Sequence, residues 1–361
     1  MQANSLAAMA GRRTAFVVSL SLTLSFAGTG CREKKPTATA IPTSGALVPV
    51  SGNTPIDSEI AVLQGQLRGA TPGDPELWVR LGRAWIRKAR QSGDSSLYQR
   101  AGDAAERAIA QNPEQLGAMD IRLAVLLNEH RFAEAQRLAT QRIKQNPRDA
   151  LAWGTIGDSA MELGDYDSAI DAYQVMVDLK PDIRSYARGA WMRWLTGDSD
   201  GALELMQLAI SAGSPKEPEA ASYSYVQLGD LYFARGQYSE ARKSYDLALR
   251  HQPGYATAHA GRGRLLLSMG GPAACEDAVS DLAAAAKAQP TTAHQAEYAS
   301  ALAFCGRAEP AARAQAELLR DGPREDPRTT SLYLSNHNLD PALALRLAQE
   351  ELARRPDIIS Y

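Results

Sequence analysis

Proline recurs through most of this chain at a nearly constant interval, and this interval is the strongest constraint on the fold. Successive prolines are separated by 34, 34, 34, 38, 37, 33 and 33 residues. The prolines concerned are Pro113, Pro147, Pro181, Pro215, Pro253, Pro290, Pro323 and Pro356. Because proline lacks a backbone N–H and its ring collides with the preceding turn, each of them predicts the end of a helix. A period of this length over a chain of 361 residues favours an array of small repeated units over one large core.

Between the prolines a second pattern recurs, and the third and fifth units show it best. The third unit contains Trp153, Ile156, Gly157, Gly164, Tyr166, Ala169, Tyr173 and Pro181. The fifth contains Tyr225, Leu228, Gly229, Tyr232, Gly236, Tyr238, Ala241, Tyr245, Ala248 and Pro253. The bulky residue and the aliphatic residue lie three positions apart and so share one face of a first helix. The glycine beside them lets a second helix approach, with a small alanine expected against it, and the turn glycine reverses the chain.

These residues closely resemble the tetratricopeptide repeat family over about residues 75–356. The resemblance implies an all-α fold, a right-handed α-solenoid in which about eight helix-turn-helix repeats stack within residues 55–361. The helical periodicity of residues 56–69 predicts an additional helix before the first unit. The eighth unit is expected to have helices near 326–336 and 340–354.

The last six residues, PDIISY, nearly match PDIRSY at 181–186, which opens the fourth unit. We therefore expect the chain to stop at the start of a ninth unit, the alternative being a short terminal tail. Without a ninth unit, Leu343, Leu347 and Leu352 are expected to leave part of an apolar face exposed. Such a face predicts weak self-association through the C-terminal repeat.

Residues 1–30 have the pattern of an export signal. Arg12 and Arg13 precede the apolar run TAFVVSLSLTLSFAG, and the stretch GTGC at 28–31 resembles the lipobox of bacterial lipoproteins. That resemblance implies lipidation of Cys31, whereas an ordinary signal with an incidental cysteine is the alternative. Residues 31–54 are rich in Pro, Thr, Ser, Gly and Ala and predict a flexible tether. The protein is therefore expected to be exported to the cell envelope, lipid-anchored to a membrane and facing the periplasm.

The other two cysteines lie at the ends of neighbouring predicted helices. Cys275 begins the second helix of unit six, and Cys305 ends the first helix of unit seven. Because these helices are antiparallel neighbours in a helical solenoid, the two residues should meet. An oxidising compartment favours a disulfide between them, with two free thiols as the alternative.

The sequence contains no recognisable catalytic centre. GxSxG, HExxH and P-loop motifs are absent, and no histidine is spaced with cysteine or acidic residues as metal ligands are. The net charge of −2 gives no indication of a nucleic-acid partner. We therefore expect a protein that is not an enzyme and that needs no cofactor and no metal.

The family resemblance also implies a concave groove lined by the first helices, which holds a partner segment. The groove positions are Arg83, Asp120, Asp158, Trp191, Trp194, Tyr223, Asp230, Phe233, Arg264 and Phe304. Phe233 is expected to be free for binding because its neighbour Tyr232 fills the packing position. The two tryptophans either face this groove or pack against the next unit's helix.

These observations favour a non-catalytic scaffold or assembly factor of the bacterial cell envelope, which binds another protein or peptide segment. One alternative is the regulatory or substrate-binding arm of an enzyme whose catalytic part is absent from this chain. Another is a protein that binds a solute or polymer in the aromatic groove.

Overall fold

The proline and glycine pattern produces a chain of short helices and tight turns. The computed structural model describes residues 45–69, 74–214 and 218–354, and within them it contains seventeen α-helices and no strand. A 3-10 turn, Gly45–Leu47, precedes the first helix. The helices are α1 Pro55–Gly69, α2 Pro75–Ser92, α3 Leu97–Gln111, α4 Leu116–Asn128, α5 Phe132–Gln145, α6 Ala150–Glu162, α7 Tyr166–Leu179, α8 Ile183–Leu195, α9 Ser199–Ser211, α10 Pro218–Ala234, α11 Tyr238–His251, α12 Ala256–Met269, α13 Pro272–Ala288, α14 Thr292–Phe304, α15 Ala308–Glu325, α16 Pro327–Asn336 and α17 Pro341–Arg354.

After α1, the helices pair in sequence as hairpins, from α2 with α3 to α16 with α17. The even-numbered helices are the first helices of the units, and most of them also contact the first helix of the next unit. No two second helices are in comparable contact in the described part of the chain. Closer packing on one side makes the array curve, so the layer of first helices forms its inner face. The predicted all-α solenoid of stacked helical hairpins is confirmed.

Local chemistry explains where the helices begin and reverse. Aspartate side chains accept backbone N–H groups at the starts of several helices, which satisfies donors that the helix itself leaves unpaired. These aspartates are Asp74, Asp149, Asp165, Asp182, Asp198 and Asp326. The turns inside four units contain a glycine in the left-handed region, as glycine allows. These glycines are Gly164, Gly197, Gly236 and Gly306, with φ of +81°, +88°, +72° and +70°.

One proline does not end a helix. Pro323 lies inside α15, which continues to Glu325, so the prediction that it stops the helix is wrong. A proline this close to the helix end removes one hydrogen bond but leaves little helix after it to disrupt. The break comes at Asp326, which has extended backbone and caps α16 by accepting from the Thr329 backbone N–H at 2.9 Å. Pro327 then occupies the first turn of α16, where its missing N–H costs nothing.

The glycines that recur in the first helices make room for different groups in different units. A Cβ on Gly82 would lie 3.5 Å from Cβ of Ala104, an alanine of the second helix, but only 2.8 Å from Cδ1 of Ile121 in the next unit. In unit five, however, a Cβ on Gly229 would lie 2.6 Å from Cε1 of Tyr245, and one on Gly261 would lie 2.5 Å from the same atom. There the predicted alanine is replaced by a fully buried tyrosine ring, held between glycines of two consecutive first helices.

The last residues of the predicted tether contact the folded body. Ala46 is fully buried, and its carbonyl oxygen accepts from Trp85 Nε1 at 3.1 Å and from Gln64 Nε2 at 2.9 Å. Thr54 Oγ1 donates to the Asp57 carboxylate at 2.8 Å, and that carboxylate also pairs with Lys88. The described part of the segment is therefore docked on α1, α2 and α3.

Several predictions fall outside the described residues. These are the export signal, the lipidation of Cys31, the first part of the tether and the PDIISY end. No helix in the described ranges has the length and apolar character required to cross a bilayer.

In the eighth unit, Leu347 is 1% exposed, so its predicted exposure is wrong. Leu343 and Leu352 are half-buried, so they leave part of their apolar surface exposed as predicted. The most exposed leucines of this unit are Leu332 and Leu345, at 54% and 61%.

Candidate functional site

The inner face contains a network of ion pairs between consecutive units, and it begins at Asp158 in α6. Its carboxylate accepts from Arg188 Nε at 2.7 Å and from Arg188 Nη2 at 2.8 Å. Arg188 belongs to α8, so the contact joins the first helices of units three and four. Tyr173 of α7 donates its hydroxyl to the same carboxylate at 2.8 Å. A planar guanidinium that engages both carboxylate oxygens is geometrically specific, and this pair fixes how the two helices face each other.

Asp230 in α10 repeats this arrangement in unit five. The Tyr245 hydroxyl donates to it at 2.7 Å, and Arg264 of α12 lies 3.5 Å away. Arg264 also donates to Glu297 of α14 at 2.9 Å. We call Asp158, Arg188, Asp230, Arg264 and Glu297 the charge ladder, which spans the first helices of units three to seven. The guanidinium of Arg264 pairs with two carboxylates, Asp230 and Glu297. This part of the ladder therefore contains one more carboxylate than guanidinium.

Burial changes the acidity of groups in the ladder. Desolvation raises the pKa of Asp230 more than hydrogen bonds from Tyr245 and Arg264 lower it. Burial also raises the pKa of Tyr223, and the charges of Arg188, Asp158 and Asp230 act on its hydroxyl. Tyr223 therefore stands between the two halves of the ladder, although its side chain is 48% exposed. It presents an aromatic surface to solvent directly beside paired charges.

Near the N-terminal end, the predicted groove residue Arg83 lies 4.0 Å from Asp120, at the outer limit of an ion pair. Asp120 instead accepts from Arg142 at 2.7 Å, and Arg142 also donates to Asp149 at 2.9 Å. Because the Arg142 side chain is only 7% exposed, this cluster supports the fold more than it offers a binding surface.

The predicted aromatic groove residues do not form one patch. Trp191 is 41% exposed, whereas Trp194 is half-buried and packs in a cluster with Leu228 and Leu231 of α10. Trp194 thus follows the alternative in which a tryptophan packs on the next unit's helix. Phe233 is also half-buried and lies 5.8 Å from the Tyr238 ring, centroid to centroid. It is not free of packing as expected, because it and Tyr232 both contact the core around Tyr245.

Phe304 is 69% exposed but belongs to a different site. It lines an open pocket at the turns of units six and seven, together with Pro272, Glu276 and Arg307. Cys275 and Cys305 line the same pocket, with their sulfurs at bonding distance and their Cα atoms 5.7 Å apart. That Cα spacing is within the range of disulfides, while the bond in the folded protein stays a prediction.

The structure thus brings together Asp158, Tyr223, Asp230 and Arg264, and it separates Arg83 and Phe304 from them. Sequence reasoning missed Arg188 and Glu297. A signal was present for the tyrosine partners: Tyr173 and Tyr245 each follow their aspartate by 15 residues. In residues 45–69, 74–214 and 218–354, no three His, Cys, Asp or Glu side chains lie close enough to bind a metal ion together. The charge ladder can donate and accept hydrogen bonds and pair with charges, and Tyr223 adds an exposed aromatic face beside it.

Comparisons with known sequences identify the repeat. A family model described as a tetratricopeptide repeat matches residues 125–182, and one described as a TPR repeat matches residues 229–270. The two matches identify tetratricopeptide repeats within these two stretches of the chain. No curated protein sequence matches the chain significantly.

Solved structures show the same fold. The Cut9–Hcn1 assembly of the APC/C aligns with a TM-score of 0.56 and 14% identity, over 84% of this chain and 57% of that chain. The human IFIT1 dimer with m7Gppp-AAAA gives 0.54 and 11% identity, over 82% and 72%. A tetratricopeptide repeat protein from Parabacteroides merdae gives 0.50 and 17% identity, over 68% and 92%. At these identities the likeness concerns the fold alone, and this chain spans just over half the length of the Cut9–Hcn1 chain.

Proposed function

We propose that this tetratricopeptide-repeat chain is a non-catalytic scaffold or assembly factor, which binds a segment of a partner protein along the charge ladder. Proteins built from this repeat generally mediate protein–protein interaction. The observation that carries the proposal is the position of Tyr223, a solvent-facing aromatic ring between Asp158–Arg188 and Asp230–Arg264–Glu297. Aromatic anchors next to charged groups are typical of the residues that contribute most to binding.

The chemistry of the ladder favours a partner segment with a Lys or Arg beside an apolar residue. Asp230 and Glu297 share the single guanidinium of Arg264, so a cation from the partner could pair with the remaining carboxylate charge. Desolvation raises the pKa of Asp230, and the nearby charge of Glu297 adds a smaller contribution in the same direction. Charge pairs at a hydrated surface mainly influence association rate and salt dependence, so higher salt should slow binding modestly.

The test compares two exposed tyrosines. Tyr223 on the inner face and Tyr238 at a turn are 48% and 40% exposed, so Tyr238→Ala is a matched control for Tyr223→Ala. The partner is captured from envelope extract with the unmodified protein, identified, and titrated against both variants. Tyr223→Ala should weaken binding roughly thirtyfold, equivalent to about 2 kcal/mol, and Tyr238→Ala should have little effect. Equal affinities for all three proteins would exclude the charge ladder as the binding surface.

We further propose that the solenoid is lipid-anchored in the cell envelope and faces the periplasm. The proposal is supported by the sequence pattern of residues 1–31, in which Cys31 follows the apolar run and GTG. Acyl chains contribute about 0.8 kcal/mol per buried CH₂, so their loss should be readily detected. Cys31→Ser should move the protein from the detergent phase to the soluble fraction, and unchanged partitioning would refute the anchor.

A further inference from the structure

The first unit differs from the next three in the length of its first helix. α2 has 18 residues, whereas α4, α6 and α8 have 13 each. The additional residues lie at the C-terminal end of α2, beyond Trp85, and lead into Gly93, which caps the helix with φ of +74°. These residues therefore extend beyond the level at which the first helices of the next three units end.

This projection touches a distant part of the chain. Gln289 Nε2 donates to the backbone carbonyl of Arg90 at 2.7 Å, across a sequence separation of 199 residues. A Cβ on Gly93 would lie 2.6 Å from Gln289 Cγ and 2.7 Å from Thr291 Cγ2. Gln289 ends α13 and Thr291 caps α14, so the end of α2 meets the junction of units six and seven. The array has thus curved far enough for its first unit to reach its later ones.

The contact lies at the start of α14, the helix that contributes Glu297 to the charge ladder. Arg90 acts electrostatically on Tyr255, which immediately precedes α12, and Tyr223 acts on the same tyrosine. The hydrogen bond from Gln289 is exposed to solvent. Water can replace an exposed hydrogen bond at little cost, so this contact is suited to opening and closing.

We propose that residues 90–93 form a strap that closes the inner face into a ring, and that a partner segment reaches Tyr223 from the side only when the strap opens. The identity of the segment rests on the proposed function, but the closure and its effect on access do not. The strap therefore regulates entry to the charge ladder and adds no binding group to it.

The closure can be locked by an engineered disulfide. A cysteine at position 289 would have its Sγ close to the present position of Gln289 Cγ. That atom lies 2.6 Å from the Cβ that a side chain at position 93 would have. The lock is Gly93→Cys with Gln289→Cys, and the matched unlocked control is Gly93→Ser with Gln289→Ser. Both pairs place a side chain at the same left-handed position, so backbone strain is equal in the two proteins.

Access is measured in the full chain with Tyr223→Cys added to both backgrounds. After oxidation, mass mapping identifies the bridge between positions 93 and 289 and follows alkylation at position 223. A maleimide attached to a polyethylene glycol chain should react at least tenfold more slowly in the locked protein than in the control. N-ethylmaleimide, which is small, should react at similar rates in both.

Two results would overturn the proposal. If no bridge forms between positions 93 and 289 on oxidation, the closed ring does not exist in solution. If the bridge forms but the bulky reagent reacts equally fast in both proteins, the strap does not control access. Either result leaves the test with Tyr223→Ala unaffected, so failure of the strap and failure of the proposed function are distinguished.

Discussion

Replacing Gly229 by alanine tests how tightly the units of this array are fitted together. The added Cβ would lie 2.6, 2.8 and 3.0 Å from three atoms of the Tyr245 ring. The ring cannot retreat, because Gly261 of the next unit approaches it from α12 and Asp230 holds its hydroxyl at 2.7 Å. One methyl group must therefore shift α10, α11 or α12.

The change in the free energy of unfolding caused by Gly229→Ala is the difference between two opposing effects. Overpacking a tight core costs about 1–3 kcal/mol, and the pinned ring places Gly229→Ala near the upper end of that range. Alanine in place of glycine inside a helix contributes about 1 kcal/mol in the other direction. The net result should be a loss of about 2 kcal/mol in the free energy of unfolding, or roughly a thirtyfold change in the equilibrium constant.

The chain offers a control in which only the helix effect operates. Gly65 lies inside α1, and a Cβ there would have no atom within 4 Å. Gly65→Ala should therefore stabilise the protein by about 1 kcal/mol. Urea unfolding followed by circular dichroism gives the overall effect, and hydrogen exchange locates it. If both substitutions stabilise equally, or if exchange in α10–α12 is unchanged, Tyr245 is not held tightly between the two glycines.

Two other sets of residues give independent tests. Cys275 and Cys305 close a loop with a sequence separation of 30, so Cys275→Ser should lower the free energy of unfolding by about 3.5 kcal/mol in the chain-entropy model. Two alkylatable thiols in the folded, unreduced protein would show that no bond exists. Asp57 and Asp230 should give opposite pH dependences. Burial alone would raise the pKa of Asp57, but hydrogen bonds, chiefly from Lys88, outweigh it and hold the pKa below its usual value. Asp57→Asn should therefore destabilise the protein above about pH 4, with the difference disappearing as pH falls through the lowered pKa. Desolvation raises the pKa of Asp230, so stability should fall as pH rises from about 4 through the raised pKa, and Asp230→Asn should remove that fall. Urea unfolding between about pH 3 and 7 measures both, and parallel curves for the three proteins would contradict these assignments.

The sequence predicted the helices well because their ends depend on local chemistry. The predicted helices at 56–69, 326–336 and 340–354 correspond to Pro55–Gly69, Pro327–Asn336 and Pro341–Arg354. The error at Pro323 has a local cause too, since the stronger stop, Asp326 followed by Pro327, comes just after it. Proline position alone does not show which of two nearby signals ends a helix.

The site was harder to predict because it depends on how neighbouring units face each other. Asp158, Asp230 and Arg264 were identified from repeat position, but their pairing was not, because each aspartate pairs with an arginine of the following unit. Whether an exposed position pairs, packs or stays open depends on the curvature between units, as the different surroundings of Trp191 and Trp194 show. The contact between Arg90 and Gln289 spans 199 residues and leaves no trace in a local pattern.

The docking of Ala46 on Trp85 sets the reach of the proposed lipid anchor. Residues 32–44 separate Cys31 from Gly45, the first residue that the structure describes in the docked segment. Even a fully extended chain of that length spans no more than roughly 50 Å. An acylated Cys31 would thus hold the first unit within that height of the membrane surface. The charge ladder begins two units further along, so its height above the membrane would be this reach plus its own distance from the first unit. Lengthening residues 32–44 would increase that maximum height without altering the binding surface.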